Sequence, residues 1–91
     1  MKLEDKKVIL KKIRRLPDQI ENYTICSFKK DRSIKAYTQN IEKGIIYFLH
    51  EEGYDTQTFM FTKKKEFHKQ IKKLIEKEFP RSHKLYVNQQ F

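Results

Sequence analysis

The hydrophobic residues near the N-terminus recur at the spacing of an amphipathic helix. Ile9, Ile13 and Leu16 follow one another at intervals of three or four residues, and Pro17 comes directly after them. This spacing puts the apolar side chains on one face of a helix, and a proline marks its end. The pattern predicts a helix from Leu3 to Leu16.

A second stripe of the same kind lies near the C-terminus. Its members are Phe67, Ile71, Leu74 and Ile75. Thr62 precedes the stripe and can cap a first helical turn, whereas Pro80 follows it and ends a helix. We therefore predict a second amphipathic helix from Lys63 to about Phe79.

Four short segments between these helices are rich in β-branched and aromatic residues, as strands are. They read YTICSF, SIKAYT, GIIYFLH and TQTFMF, and the turns KKDR, QNIEK and EEGYD separate them. Connections this short force neighbouring strands to run antiparallel. The tail LYV, Leu85 to Val87, predicts a short C-terminal edge strand, and residues 88–91 a frayed tail. The predicted fold is a two-layer α+β domain: helix, four-stranded antiparallel meander, helix and edge strand.

The length and composition bound the class of protein. A chain of 91 residues with 37% hydrophobic residues suits one small core, so residues 1–91 are predicted to form a single basic α+β domain. The single cysteine, Cys26, cannot form an internal disulfide, which fits a reducing compartment. No apolar run approaches the roughly 20 residues that span a bilayer, and the N-terminus is too charged for a signal peptide. We expect a cytoplasmic protein without membrane contact.

Charge is distributed unevenly along the chain. The formal net charge is +9: residues 1–17 carry +5, residues 18–35 carry +1, residues 36–62 carry −3 and residues 63–91 carry +6. The positive charge therefore lies on the two predicted helices, and an acidic region surrounds the last two strands of the meander. In the first helix, bases near the C-terminal end suit the helix macrodipole without any partner. Such a charge favours nucleic acid or an acidic protein as the partner.

The second helix carries the strongest candidate binding residues. Lysines open its first turn, where the macrodipole disfavours cations, and more lysines lie opposite the apolar stripe. A helix N-terminus with flanking bases can hold a phosphate. The alternative is a solvated face, and the two interpretations are about equally favoured. The candidates are Lys63, Lys64, Lys65, Lys69, Lys72 and Lys73.

Two further groups of residues extend this candidate site. Arg81, His83 and Lys84 follow Pro80 and can contact phosphate or ribose, or else belong to an ordinary loop. The first hairpin contributes Lys29, Lys30, Arg32 and Lys35. Alternation places Lys35 and Tyr37 on one strand face, which Tyr47 is predicted to share, so that bases can stack there. The alternative without a binding function is a solvated turn and ordinary amphipathic tyrosines.

No catalytic or metal-binding motif stands out. The three histidines are far apart, no glycine-rich phosphate loop occurs, and Cys26 is predicted to be a small buried residue. We predict no catalytic residues, no metal and no cofactor. A metal-free ribonuclease centred on His83, with Arg81 and Lys84, is the least favoured alternative.

The sequence thus supports two functional hypotheses. The first is a small nucleic-acid-binding protein, for RNA or DNA, that contacts phosphates through the lysine-rich second helix and its flanks with weak sequence selectivity. The second is an interaction or inhibitor module that docks an acidic protein surface. The oligomeric state stays open, a dimer included.

Overall fold

A six-stranded antiparallel sheet with two helices on one face forms the fold. The structure is a computed structural model that describes residues 1–91. The strand order in the sheet is β1-β6-β2-β3-β4-β5. The elements are β1 Lys2–Asp5, α1 Lys6–Lys12 with a 3-10 turn at Ile13–Arg15, β2 Asn22–Cys26, β3 Ser33–Ile41, β4 Gly44–Glu52, β5 Thr56–Phe61, α2 Lys64–Glu78 and β6 Lys84–Gln90. The predicted α+β class with an antiparallel sheet is confirmed.

The four central segments form the meander that their short turns predict. Ile25 pairs with Ile34, Ala36 with Leu49, and β5 completes the run against β4. The side chains of these residues point to the same face, because directly opposed residues in an antiparallel ladder share a face. That face is covered by α1 and α2, and the shared hydrophobic core contains 17 buried residues from helices and strands.

The first helix is shorter than predicted and begins after a strand. Lys2–Asp5 pairs with Lys84–Val87 as β1, and α1 starts only at Lys6. The segment KLED has no strand pattern of its own, since it contains a single apolar residue. It is extended because β6 offers it a ladder of backbone hydrogen bonds, a long-range effect that periodicity does not reveal.

The C-terminal strand is also longer than predicted and is not an edge. β6 runs from Lys84 to Gln90 between β1 and β2. Residues 88–90, for which the sequence predicts a frayed tail, pair with Thr24, Tyr23 and Asn22, and the Phe91 ring stacks on Tyr23 at 6.3 Å between centroids. The polar sequence NQQ is thus ordered by its backbone, which pairs with β2 on one side, beyond the point where the pairing of β6 with β1 ends at Val87.

The second helix begins two residues after its predicted cap. Lys63 is the N-cap residue, and no side chain caps the helix. The prediction of Thr62 as the cap is therefore wrong. The apolar stripe itself is confirmed, since Phe67, Ile71, Leu74 and Ile75 are all buried against the sheet.

Tyr47 lies on the core face, not on the exposed face that the sequence predicts. Tyr37 pairs with Phe48 in the β3–β4 ladder, so the next residue, Tyr47, points to the opposite side. Only 7% of Tyr47 is exposed, and its ring stacks on Phe67 with centroids 4.9 Å apart. The hairpin register decides this orientation, because a shift of one residue reverses the faces.

The other face of the sheet is open. Tyr37 and Phe48 stack there with ring centroids 4.9 Å apart, and Met60 on β5 lies opposite Phe48. Cys26 also belongs to this side but is buried and free, as predicted for its burial. Neither α1 nor α2 combines the length and the apolar composition that a membrane-spanning helix needs.

Candidate functional site

A groove between the helices concentrates positive charge. Two adjoining depressions share Val8, Leu10 and Glu76 as lining residues and follow α1 from its start to the 3-10 turn. We refer to them together as the basic furrow. Its cationic lining residues are Lys6, Lys7, Lys11, Lys12, Arg14, Arg15, Lys72 and Arg81, with His83 at one end. Asp5 and Glu76 are the acids that line it.

Most of these bases have no acidic partner. Lys6 pairs with Glu76 at 3.3 Å, and Lys12 pairs with Glu4 at 3.2 Å. The other six cationic side chains have no carboxylate within 4.0 Å; they are Lys7, Lys11, Arg14, Arg15, Lys72 and Arg81. The furrow therefore carries uncompensated charge in a concave surface, where low-dielectric walls strengthen the field.

The local structure explains why these bases face outward. Ile9 and Ile13 are fully buried and anchor α1 on the sheet. The basic residues between and after them point to solvent, namely Lys11, Lys12, Arg14 and Arg15. Acids are absent from the first turn of α1, because Glu4 and Asp5 lie in β1. The macrodipole therefore favours only the bases at the C-terminal end of α1, and the charge at its start is not explained by the helix.

The exposed lysines of α2 extend the furrow along that helix. Lys72 lines the furrow, Lys69 lies one turn before it and Lys65 one turn before Lys69, on the same side of the helix. These three side chains and Lys73 lack ion-pair partners within 4.0 Å. The structure thus brings the predicted α2 lysines next to the bases of α1.

The start of α2 contains an ion pair that the sequence did not indicate. Lys64 is half-buried and pairs with Asp18 at 2.7 Å, and this hydrogen bond raises the pKa of Lys64. The contact fastens the loop after α1 to α2. Lys63 is exposed and unpaired at the N-cap. Among the three lysines that open the helix, Lys64 therefore has a structural explanation, whereas Lys63 and Lys65 have none.

The corner after α2 closes one end of the furrow. The Lys6 backbone N–H donates to the His83 carbonyl at 2.8 Å, and the Lys6 ammonium donates to the Phe79 carbonyl at 2.9 Å. These bonds hold Arg81 and His83 beside the start of α1. Lys84 opens β6 opposite Asp5. The His83 side chain makes no hydrogen bond within the chain.

The first hairpin lies near this corner, but two of its bases contact side chains of the chain itself. Cys26, at the end of β2, pairs with Tyr86, so the hairpin and the corner share one end of the sheet. Lys30 lies over the Tyr86 ring at 5.1 Å, and Lys29 is exposed. Arg32 is half-buried: its guanidinium lies 4.8 Å from the Tyr54 ring and its Nε 3.9 Å from a Glu78 oxygen. Arg32 thus has a structural role at this end of the sheet.

Lys35 and Tyr37 lie on the open face of the sheet, separated from the furrow by the sheet itself. Lys35 is exposed opposite His50 and Thr24, and the Tyr37 ring is half-buried against Phe48. No other lysine or arginine occupies the centre of this face. The structure therefore does not bring these two residues together with the α2 lysines.

His68 provides a pH-dependent reporter of this helix. Burial first, and then the charges of Lys64 and Lys72, lower its pKa, while Asp18 opposes them. A histidine whose pKa is lowered on folding binds more protons when unfolded, so the free energy of unfolding falls as the pH drops below about 6.5. We therefore expect the thermal midpoint of the wild type to fall relative to that of His68→Gln as the pH decreases from about 7 to 5. Identical pH profiles of the two proteins in differential scanning fluorimetry would contradict this expectation.

Two carboxyl groups are fully buried away from the furrow. Glu51 on β4 and Glu78 on α2 each have 0% exposure and share a hydrogen bond. Burial and the bond to Glu51 raise the pKa of Glu78. Burial also acts to raise the pKa of Glu51, but hydrogen bonds from Glu78, Lys77 and Gln57 outweigh it and lower that pKa. These opposite shifts favour the proton on Glu78 and the negative charge on Glu51.

Sequence reasoning missed the bases of α1 as part of the candidate site. The +5 charge of residues 1–17 indicated them. The favourable macrodipole at the C-terminal end of the first helix accounts for that charge without any partner, so the sequence did not assign these bases to the site. Only the packing of α1 beside α2 reveals that both sets of bases line one groove.

The fold and the furrow define a small α+β protein with a cationic helical layer and an open sheet face. No group of three or more His, Cys, Asp and Glu side chains is arranged to hold a metal ion. Comparisons with protein-family models, with curated protein sequences and with solved structures returned no match to this chain.

Proposed function

We propose that this protein binds nucleic acid by contacting the phosphate backbone along the basic furrow and the adjoining lysines of α2. The observation that carries the proposal is the set of six furrow bases without acidic partners, continued by Lys65 and Lys69. Arginine and lysine side chains in a groove neutralise phosphates and release counterions, which supplies most of the affinity in sequence-independent binding.

The lining of the furrow favours backbone contacts over base contacts. Its apolar residues on α1 are Val8 and Leu10, and no aromatic side chain lines it. Stacking on aromatic rings is what holds unpaired bases in single-strand binding sites. We therefore expect weak sequence selectivity and little discrimination between bases. Tyr37, the candidate for base stacking, lies on the opposite face and is left out of the proposed interface.

A binding panel at several salt concentrations tests the proposal. Fluorescence anisotropy with single- and double-stranded RNA and DNA of mixed sequence is expected to show binding to at least one of the four at low salt. If six bases contact phosphates, affinity should fall by roughly a thousandfold or more between about 50 and 200 mM salt. Absence of binding to all four nucleic acids at low salt would reject the proposal.

A second candidate function is docking of an acidic protein segment in the same furrow. Val8 is 39% exposed there and gives the groove an apolar floor that a protein partner can cover. Affinity purification from nuclease-treated lysate separates the two functions. A stoichiometric protein that persists through nuclease and moderate salt favours docking, whereas loss of all partners on nuclease treatment favours nucleic-acid binding.

The proposal includes a cytoplasmic location. Support comes from the single free thiol of Cys26, which lies buried in β2 and forms no disulfide, as is usual for proteins of reducing compartments.

A further inference from the structure

The two edges of the sheet differ in their protection against pairing with another strand. At one edge, β1 has four residues, KLED, three of which are charged. At the other edge, β5 has six residues, TQTFMF, without charge, proline or glycine. Natural edge strands are usually short, charged or interrupted, because an unprotected edge is a template for another strand. The edge of β5 is therefore the unprotected one.

The charges that flank β5 are opposite in sign at its two ends. Glu52 and Asp55 precede the strand, and both are exposed, with Asp55 also paired to Lys77 of α2. Lys63 and Lys65 follow the strand, and both are exposed. Two copies of such a strand that pair antiparallel bring the acidic end of each against the basic end of the other. The edge is thus complementary in charge to itself, which is the requirement for a twofold symmetric interface.

From this edge we propose that a second copy of the chain pairs antiparallel with β5, so that two six-stranded sheets become one continuous sheet. The proposal does not depend on the function of the furrow. A twofold axis perpendicular to the sheet keeps both helical layers on the same side, and residues of like face must then oppose each other. The register centred on Phe59 meets this condition and places Asp55 opposite Lys63 of the second copy.

This register also gives favourable side-chain pairs on both faces. Phe59 meets its symmetry mate on the helical side, and Thr58 lies opposite Met60 of the second copy on the open side. Met60 is 65% exposed in the single chain. In this register the strand residues 57–61 of each chain pair, and a ladder of five residues buries less area than a standard interface. We therefore expect reversible association with a dissociation constant in roughly the micromolar range.

Analytical ultracentrifugation of the purified chain over a range of concentrations tests the proposal. We expect a shift from the 11.2 kDa monomer to twice that mass. The double variant T58K/M60K places lysines opposite lysines on both sides of the twofold axis, and it should weaken the dimer by about tenfold or more. Leu3→Lys introduces the same residue on β1 and should leave the dimer unchanged. A monomer at every concentration, or a dimer that T58K/M60K does not weaken, would overturn the proposal.

Charge exchange gives a second measurement of the register. Lys63→Glu and Asp55→Lys each produce like-charge contacts in their own homodimers, whereas an equimolar mixture restores two opposite-charge contacts per heterodimer. We expect the mixture to associate more tightly than either variant alone, by several-fold given the small energies of exposed pairs. A mixture that associates no more tightly than the separate variants would overturn this register.

Discussion

Reversing three lysines of α2 to glutamate, in the variant K65E/K69E/K72E, is expected to abolish nucleic-acid binding while the fold is retained. All three side chains are exposed and make no ion pair, so their replacement removes no contact within the chain. Each lost phosphate contact lowers the slope of log affinity against log salt by about one, and reversal adds repulsion. We expect the affinity at moderate salt to fall by about a hundredfold or more in anisotropy titrations.

The corresponding variant of α1, K11E/R14E/R15E, decides whether the furrow as a whole is the binding surface. These bases also lack acidic partners, and they lie across the groove from Lys72. If the phosphate chain occupies the furrow, this variant should lose affinity to a similar extent. A wild-type affinity for K11E/R14E/R15E, together with a loss in the α2 variant, would restrict binding to α2.

A control of equal charge separates local contacts from net charge. K2E/K35E/K43E changes the net charge by the same amount as the other triple variants, but its three lysines lie on strands and a turn outside the furrow. Long-range attraction depends on the total charge of the protein. Salt screens it beyond one Debye length, which is about 10 Å at 0.1 M. We therefore expect only a small loss at moderate salt. A loss equal to that of the α2 variant would contradict the furrow as the site.

The parts of the fold that sequence predicted are those that local patterns determine. The stripe of α2 and the alternation in β2 to β5 are repeated over several turns or residues, and hydrophobic burial enforces them. β1 and the second half of β6 carry no such pattern, since KLED and NQQ are polar. KLED becomes a strand because it pairs with the first half of β6, and NQQ because it pairs with the start of β2. Pairing between the two ends of the chain is a long-range property that periodicity cannot show.

The candidate site likewise has features that local patterns predict and features that depend on contacts between distant segments. The exposure of the α2 lysines follows from helical periodicity, so Lys65, Lys69, Lys72 and Lys73 were placed correctly on the outer face. The partners of individual charges did not follow, since Lys64 with Asp18 and Arg32 with Glu78 are contacts between distant segments. The furrow itself required the relative placement of two helices, which depends on how the whole core packs.

Exchanging each buried glutamate for glutamine is expected to reveal which one carries the charge. The Glu78 carboxyl accepts the Tyr54 backbone N–H at 3.1 and 3.2 Å and, when protonated, donates to Glu51. Glutamine at position 78 reproduces this arrangement. The free energy of unfolding of E78Q should therefore lie within about 1 kcal/mol of the wild-type value near neutral pH. Glu51 accepts from Gln57 at 2.7 Å and pairs with Lys77 at 2.9 Å. E51Q removes this charge and should cost about 2 kcal/mol in chemical denaturation.

The pH dependence of E78Q gives an independent measurement of the same assignment. An acid whose pKa is raised on folding stabilises the fold below its ordinary pKa, and this stability is lost as the pH rises through the folded value. Glutamine cannot ionise, so the free energy of unfolding of E78Q should increase relative to the wild type between about pH 5 and pH 8. A larger cost for E78Q than for E51Q, with no such relative increase, would place the charge on Glu78 instead. In that case the proton would belong to Glu51, and Lys77 would face a neutral carboxyl.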